Sequence, residues 1–292
     1  VGIAEELVSN HYKMSASQWL RPKYDVRTLA ELEPPEVVDG PFAQIIRYQG
    51  QPKAASLTSS TYDFYKICLQ DHAILTALRH ETPSGLVPHI ELEYQLTAEE
   101  FGMEAVRGHH LEGKSAAAAD DLLKRNADLW VRVAERFRWS AITGTHWLPL
   151  DAQCRCLELI RERAGDTYML TAFLDPTYSI PAGEHMMDHV IYLTDHAEEA
   201  KEQSRQAVAS QLGAARALRD AGAEIVFMCA DYCFNTGPFL SPSMFAEFVT
   251  PILTEFVDGL HELGMWTVKH TDGDIMPILD QLVASGTDAI HS

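Results

Sequence analysis

The sequence predicts an α/β fold in which parallel strands alternate with longer helices. From about residue 70 onward, short apolar runs alternate with helical patterns, which is the order expected of βα units around a parallel sheet. Most of the apolar runs are continuous, as strands covered on both faces should be. A chain of 292 residues with 46% hydrophobic and 22% charged residues can bury the core of such a domain.

Six segments of the chain are predicted to form the strands of this sheet. Each is short and rich in apolar residues, and each ends in polar or turn-forming residues. In chain order they are "LVPHIELE" (86–93), "SAITGTHW" (140–147), "YMLTAFLD" (168–175), "EIVFMCAD" (224–231), "MWTVKH" (265–270) and "DAIHS" (288–292).

Two long helices between these strands have well-marked boundaries. The segment 196–222 carries acidic residues in its first turn and apolar residues at helical spacing, and it ends in a glycine. The segment 241–264 begins with Ser241 as the expected N-cap and Pro242 at the first helical position, and it also ends in a glycine. Pro251 is expected to kink the second helix because proline has no backbone N–H to donate.

Residues 1–69 are predicted to form an N-terminal extension, and residues 70–292 are predicted to form the domain. The extension contains two loop-like stretches around one possible strand, "AQIIRY" (43–48). The chain has neither the basic start and apolar middle of a signal peptide nor an apolar run long enough to cross a bilayer. We therefore expect a cytoplasmic protein that does not bind membranes.

The charge of the chain is strongly acidic. With 23 basic and 42 acidic residues, the formal net charge is -19. Long-range repulsion then disfavours nucleic acid and anionic lipid surfaces, and a polyanionic substrate would need a local basic pocket. The composition leaves a small-molecule substrate as the expected partner, and it does not predict an oligomeric state.

Polar residues follow the predicted strands at their carboxyl ends, where parallel β/α folds place their chemistry. The candidates are Glu91, Glu93, Thr145, His146, Asp175, Asp231, His270 and Asp272. Asp175 precedes a proline and can simply begin a turn, while His146 can be a hydrogen-bonded wall residue. Asp231 and His270 each end an apolar run on a separate strand, which favours a functional site over two independent structural explanations.

The spacing of His270 and Asp272 predicts two metal ligands. Both side chains can bind a divalent ion, and a gap of one residue puts them on the same side of an extended backbone. A catalytic zinc site needs three protein ligands, and Glu91 or Glu93 could supply the third if the fold brings the strands together. Histidine and aspartate also serve as hydrogen-bonding walls of pockets, so this alternative stays open.

The second half of the chain resembles the uroporphyrinogen decarboxylase superfamily, and "ILTALRHETPSGLVPHIELEY" (74–94) resembles the start of the same domain. The resemblance covers most of residues 72–292. Its motifs are Asp231, Gly237, Ser241-Pro242, Pro251 and the His-x-x-Gly turn at His270. It implies a TIM-type (β/α)₈ barrel and one of two chemistries. These are the cofactor-free decarboxylation of uroporphyrinogen and zinc-dependent methyl transfer that involves corrinoid proteins.

Two departures from the family pattern favour methyl transfer. Decarboxylases carry Arg-Gln-Ala-Gly-Arg after the proline that Pro88 resembles, whereas this chain has Glu91 and Glu93 there, which would repel a substrate with many carboxylates. The segment "HTDG" is similar to the His-x-Cys-Gly zinc element of the methyltransferases, with Asp272 at the cysteine position. Aspartate would make a bound zinc ion a better Lewis acid.

The resemblance therefore implies a methyltransferase-like enzyme that acts on a methyl ether, amine or thiol with a corrinoid protein as partner. Asp231 and His270 are the expected catalytic residues, and zinc is the expected cofactor. The predicted metal ligands are His270, Asp272 and Glu91, and the predicted substrate-binding residues are Glu91, Glu93, His146 and Asp175.

Two alternative functions remain at this point. In a tetrapyrrole decarboxylase, Asp231 would match the aspartate that stabilises the protonated pyrrole, and in a barrel without catalysis the domain would serve as a binding component. A (β/α)₈ barrel needs eight strands and six are visible after residue 70. The chain is therefore expected to lack the last βα units, and the alternative is that residues 1–69, through "AQIIRY", contribute part of the closure.

Overall fold

The computed structural model describes residues 74–79 and 88–291, which form an open parallel sheet with helices against it. The sheet has five strands in the order β1-β2-β3-β6-β7, and every neighbouring pair is parallel. Its strands are β1 (Ala141–Ile142), β2 (Met169–Phe173), β3 (Ile225–Met228), β6 (Trp266–His270) and β7 (Ala289–His291). A separate hairpin pairs β4 (Cys233–Phe234) with β5 (Gly237–Pro238).

Helices connect the parallel strands, as they must when the next strand starts at the same edge of the sheet. The described helices are α1 (74–78), α2 (Thr97–Phe101), α3 (Gly108–Leu111), α4 (Ala116–Phe137), α5 (Leu150–Ala164), α6 (Met186–Asp195), α7 (Ala197–Asp220), α8 (Pro242–Phe248), α9 (Thr250–Glu262) and α10 (Leu279–Ala284). Short 3₁₀ turns lie at Thr145–Trp147, Gly183–His185 and Met276–Ile278. The predicted α/β fold class is confirmed, and within the described residues the sheet does not close into a barrel.

The helix boundaries follow the predicted signals closely. The helix predicted over 196–222 is α7, and the predicted cap of the next helix is present, since the Ser241 hydroxyl accepts a hydrogen bond from the Met244 N–H at 3.3 Å. The expected kink is a full break, because α8 and α9 are separated at Val249, two residues before Pro251. Without an N–H, Pro251 cannot donate the hydrogen bond that would continue α8.

The strand predictions hold for β2, β3, β6 and β7. The second predicted strand, 140–147, is a strand only in β1 and ends in the 3₁₀ turn Thr145–Trp147. The first predicted strand, 86–93, is wrong within the described residues 88–93. This segment runs beside β1 without forming a regular ladder. The Ser140 N–H donates to the His89 carbonyl at 2.6 Å, while the Thr143 hydroxyl donates to the Glu91 carbonyl at 2.7 Å. At Glu91 the hydroxyl of Thr143 therefore donates the hydrogen bond that a backbone N–H would donate in a regular ladder.

Residues 1–69, including the possible strand at 43–48, lie outside the described residues. The proposed boundary between an extension and the domain therefore stays a prediction.

The two faces of the sheet belong to two hydrophobic clusters. One face packs against the helices, where the largest buried side chains are those of Trp130, Trp139, Phe245 and Phe256. The other face, which we call the inner face, carries Met169, Ile225, Phe227, Val268 and Ala289, and it packs against α1. Side chains alternate between the faces along each strand. The residues that follow β3 and β6 at their carboxyl ends continue this alternation. Those that point to the inner face form the candidate site.

Candidate metal centre

Three side chains that can bind a metal converge at the carboxyl ends of β3 and β6. They are Asp231, His270 and Asp272, and one ligand atom from each lies within 4.8 Å of the others. The Nε2 atom of His270 is 3.9 Å from an oxygen of Asp231 and 4.0 Å from an oxygen of Asp272. No other group of three histidine, cysteine, aspartate or glutamate side chains meets this spacing in the part of the chain that the structure describes.

The strand register explains why these residues meet. The neighbouring strands β3 and β6 pair Phe227 with Val268 on the inner face. Two residues further along each strand, the inner face carries Cys229 and His270, and the next step of two residues leads to Asp231 and Asp272. Asp231 and Asp272 each lie four residues beyond this pair. The parallel register therefore brings them to the same end of the sheet.

Hydrogen bonds between the two chain segments hold the cluster in place. The Asp272 N–H donates to the Asp231 carboxylate at 2.8 Å, and the Tyr232 N–H donates to the Thr271 hydroxyl at 2.8 Å. Gly273 continues the turn with a φ of +91°, a conformation that side chains other than glycine rarely adopt. The "HTDG" segment is thus a turn that aims Asp272 back at β3.

The histidine of the cluster is buried, whereas its carboxylates are open to solvent. The side chain of His270 is 11% exposed, compared with 45% for Asp231 and 44% for Asp272. Burial lowers the pKa of His270, and the two nearby carboxylates only partly offset this effect. The imidazole is therefore neutral near pH 7, which is the form that binds metals.

A second histidine, which the sequence reasoning missed, touches the first. The Nδ1 atoms of His270 and His291 are 2.8 Å apart, and the two residues are in register on β6 and β7. The available signal was a histidine at the carboxyl end of both predicted strands, His270 as the last residue of "MWTVKH" and His291 as the last but one of "DAIHS"; only the strand register pairs them.

The donor set of one imidazole nitrogen and two carboxylates fits a zinc ion. Catalytic zinc sites have three protein ligands of these types and leave a fourth position for water or substrate. The exposed carboxylates leave room on the solvent side, and the buried imidazole supplies a rigid anchor. The cluster is therefore compatible with zinc, although its oxygen-rich set also suits other divalent ions.

The third side chain of the cluster is Asp231, whereas Glu91 was the predicted third metal ligand. Glu91 lies outside the cluster, and its carboxylate is 3.8 Å from the Nε2 atom of His89. The physical reason is the strand order, because the segment with Glu91 and Glu93 runs beside β1, which β2 and β3 separate from β6. A role of the two glutamates in substrate binding stays a prediction.

His146 lies buried between aromatic rings near Glu93. Its ring stacks on Phe173 with a centroid distance of 4.1 Å, and its Nε2 atom is 3.8 Å from a Glu93 oxygen, which is too long for a hydrogen bond. Neither ring nitrogen has a hydrogen-bond partner among the described residues. Burial lowers the pKa of His146 to about 4, with Arg107 acting in the same direction and Glu93 against it. Its role in substrate binding stays a prediction.

We expect the free energy of unfolding to decrease as the pH falls from about 6.5 to about 4, because His146 must be protonated in a buried position. The folded-state pKa of about 4 lies below the unfolded value of 6.5, so the unfolded chain binds more protons between these pH values. The stabilisation is complete above the unfolded pKa and is lost as the pH falls toward the folded pKa. The variant His146→Phe keeps a ring on Phe173 but cannot titrate. In urea unfolding, the wild type should lose up to about 1.4 kcal/mol per pH unit relative to this variant. Parallel pH profiles would contradict the prediction.

Asp175, predicted to bind substrate, lies in a buried ion pair with Lys269. Its carboxylate accepts hydrogen bonds from the Lys269 ammonium and the Ala230 N–H, both at 2.8 Å, and from Thr177. Burial opposes ionisation of Asp175, but the ammonium and these hydrogen bonds hold its pKa below the usual value. The carboxylate is already fully engaged inside the protein, and its predicted contact with substrate stays untested.

Lys269 organises the chain just before Asp231. Its side chain is fully buried, and its ammonium also donates to the carbonyls of Met228 and Ala230 and lies 4.2 Å from the centre of the Tyr232 ring. The sequence reasoning missed this residue. The signal was a lysine inside an apolar strand, which requires a buried partner.

A small, shallow cleft, with room for about one water molecule, opens beside Asp231. Its walls are mostly aromatic and aliphatic, with Tyr178, Tyr232, Phe239, Leu240 and Phe245 among the lining residues. One side of the candidate metal centre is therefore apolar.

The parallel strands with helical connections and the polar cluster at their carboxyl ends define part of a TIM-type barrel with a candidate metal centre. Residues 151–292 match the sequence model of the uroporphyrinogen decarboxylase (URO-D) family, so this part of the chain is similar to that family. No curated protein matches the sequence.

A solved structure with a similar fold is described as a methyltransferase from Methanosarcina mazei. The TM-score is 0.50 with 16% sequence identity, over 76% of this chain and 75% of that chain. At this identity the likeness supports the fold alone. Within the described residues, no helix combines the length and the apolar character that crossing a membrane requires.

Proposed function

We propose that the protein is a metal-dependent methyltransferase of the URO-D superfamily. It would act in the cytoplasm and move a methyl group between a small methylated substrate, a methyl ether, amine or thiol, and a corrinoid protein. The observation that carries the proposal is the cluster of Asp231, His270 and Asp272. It lies at the carboxyl edge of the sheet, where barrel enzymes hold their reacting groups.

Each residue of the cluster has a distinct part in this proposal. His270 would supply the buried nitrogen ligand, and Asp231 and Asp272 would supply oxygen ligands. A zinc ion held there would act as a Lewis acid on the heteroatom that carries the methyl group. The hydrogen bond from the Asp272 N–H fixes the carboxylate of Asp231, so that the two acids keep their separation before any ion binds. The cleft beside Asp231 gives the proposed centre an apolar neighbour.

The charges around the cluster disfavour the decarboxylase alternative. Four acids, Glu91, Glu93, Asp231 and Asp272, belong to strand ends or to the neighbouring segment, and the nearby ammonium of Lys269 is already paired with Asp175. Such a surface would repel a tetrapyrrole with many carboxylates. The barrel without catalysis is a further alternative, and it requires neither a metal nor turnover.

Metal content is the first test of the proposal. Protein purified without chelator is expected to hold about one zinc ion per chain, because three protein ligands suffice for a catalytic site. His270→Ala removes the buried nitrogen ligand and should lose the ion. His185→Ala is a matched control, since His185 is 65% exposed and lies outside the cluster, and this variant should retain the metal. Elemental analysis of the three proteins that finds no metal in the wild type would overturn the proposal.

An activity assay then separates the chemistries. We expect the zinc-loaded wild type to transfer methyl groups from a methylated amine, thiol or aromatic ether to reduced cobalamin, as followed by visible absorption. His270→Ala should be inactive. Decarboxylation of uroporphyrinogen by the same preparation, without methyl transfer, would instead establish the alternative.

A further inference from the structure

We propose that His291 is a positioning residue that accepts the Nδ1 proton of His270 and thereby presents the Nε2 lone pair of His270 to the metal. This inference rests on the proposed metal centre. His291 is 8% exposed, and its register partner across the parallel ladder is His270. The two rings are 4.9 Å apart at an angle of 53°, with Nδ1 facing Nδ1 at 2.8 Å.

The contact restricts where the protons can be. Two ring nitrogens at this distance form a hydrogen bond only if one carries a proton and the other offers a lone pair. The Nε2 atom of His270 faces Asp231 and Asp272, and it can bind a metal only without a proton. The proton of the neutral His270 ring then lies on Nδ1, so His270 donates and His291 accepts. The opposite assignment would leave a proton on Nε2, between the carboxylates and in the place of the metal.

A neutral acceptor has a particular consequence for this centre. The ring nitrogen that faces away from a metal commonly donates to a carboxylate, which adds negative charge to the site. Here the two carboxylates already balance the charge of a divalent ion, and a third acid would make the centre anionic. A histidine orients the ligand without that charge. The metal would keep more of its Lewis acidity toward a neutral substrate.

Two substitutions of similar size separate this role from simple packing. His291→Asn keeps a polar side-chain acceptor near the position of Nδ1, whereas His291→Leu fills the space without a side-chain acceptor and keeps only the backbone contact of residue 291 with His270. Zinc affinity is measured by competition with a chromophoric chelator. We expect His291→Leu to bind zinc about 10- to 100-fold more weakly than the wild type, the usual effect of losing a partner of a metal ligand. His291→Asn should retain most of the affinity.

A second measurement reads the proton itself. In ¹⁵N-labelled, zinc-loaded protein, NMR should show a protected Nδ1–H on His270 in the wild type and in His291→Asn, but not in His291→Leu. Thermal unfolding of the metal-free proteins controls for packing, and the two variants should differ less there than in zinc affinity.

The outcomes distinguish the two proposals. If the wild type binds zinc and His291→Leu binds it equally well, the role of His291 is overturned while the metal centre stands. The same conclusion follows if folded His291→Asn and His291→Leu lose affinity to the same extent, because the acceptor would then be irrelevant. If the wild type does not bind zinc, the proposed function and this inference both fail.

Discussion

Lys269→Met is expected to lower the free energy of unfolding by about 3–5 kcal/mol, the usual effect of removing one partner of a buried ion pair. Methionine fills a similar volume but leaves the carboxylate of Asp175 charged, buried and without its cation. The carbonyls of Met228 and Ala230 also lose a donor. Urea unfolding monitored by circular dichroism measures the change.

Two controls make this prediction specific to burial. The double variant Asp175→Asn, Lys269→Met removes the stranded charge and should be more stable than Lys269→Met alone. Lys201→Met breaks a surface pair with Glu247 at 2.8 Å and should lower stability far less, because solvent screens an exposed pair. A loss in Lys269→Met no larger than that in Lys201→Met would show that the buried pair does not stabilise the fold.

Gly273→Ala is expected to destabilise the protein and to weaken metal binding together. The positive φ of +91° alone costs an alanine about 1–3 kcal/mol. A Cβ atom at this position would also lie 2.5 Å from the carbonyl oxygen of Cys233 and 2.6 Å from that of Phe234, so the turn or the hairpin must move. Because Asp272 immediately precedes Gly273, this movement displaces one of the candidate ligands. Urea unfolding and zinc competition measure the two effects.

Gly264→Ala is the matched control for this substitution. Gly264 has a φ of +75°, and a Cβ atom there would meet no heavy atom within 4 Å. This variant should incur the backbone cost alone and should bind zinc like the wild type. If Gly273→Ala also binds zinc normally, the turn does not position Asp272 as the structure indicates.

Local patterns were sufficient to predict most of the elements. Continuous apolar runs predicted β2, β3, β6 and β7, because a parallel strand covered on both faces needs apolar residues at every position. The Ser241-Pro242 pair predicted the start of α8, since both residues act through the backbone immediately beside them. Two strand predictions failed in part. The segment 88–93 has the composition of a strand but does not form a regular ladder with β1, and the predicted strand 140–147 turns into a 3₁₀ helix at Thr145.

The candidate centre was only partly predictable. The spacing of His270 and Asp272 indicated a pair of ligands, because a one-residue gap on an extended chain already places two side chains on one face. Sequence spacing could not show which acid, Glu91 or another, lies beside His270 and Asp272. That choice depends on which strand lies beside β6, and the sheet places β3 and therefore Asp231 there.

The sequence by itself determined the fold class, the positions of the main helices and strands, and the proximity of the candidate ligands His270 and Asp272. All of these follow from interactions between residues close together in the chain. The tertiary structure alone decided that Asp231 joins His270 and Asp272 in the cluster, that His270 contacts His291, and that Lys269 pairs with Asp175. These contacts join residues 21 to 94 positions apart, and they depend on strand order and register, which hydrophobic periodicity does not encode.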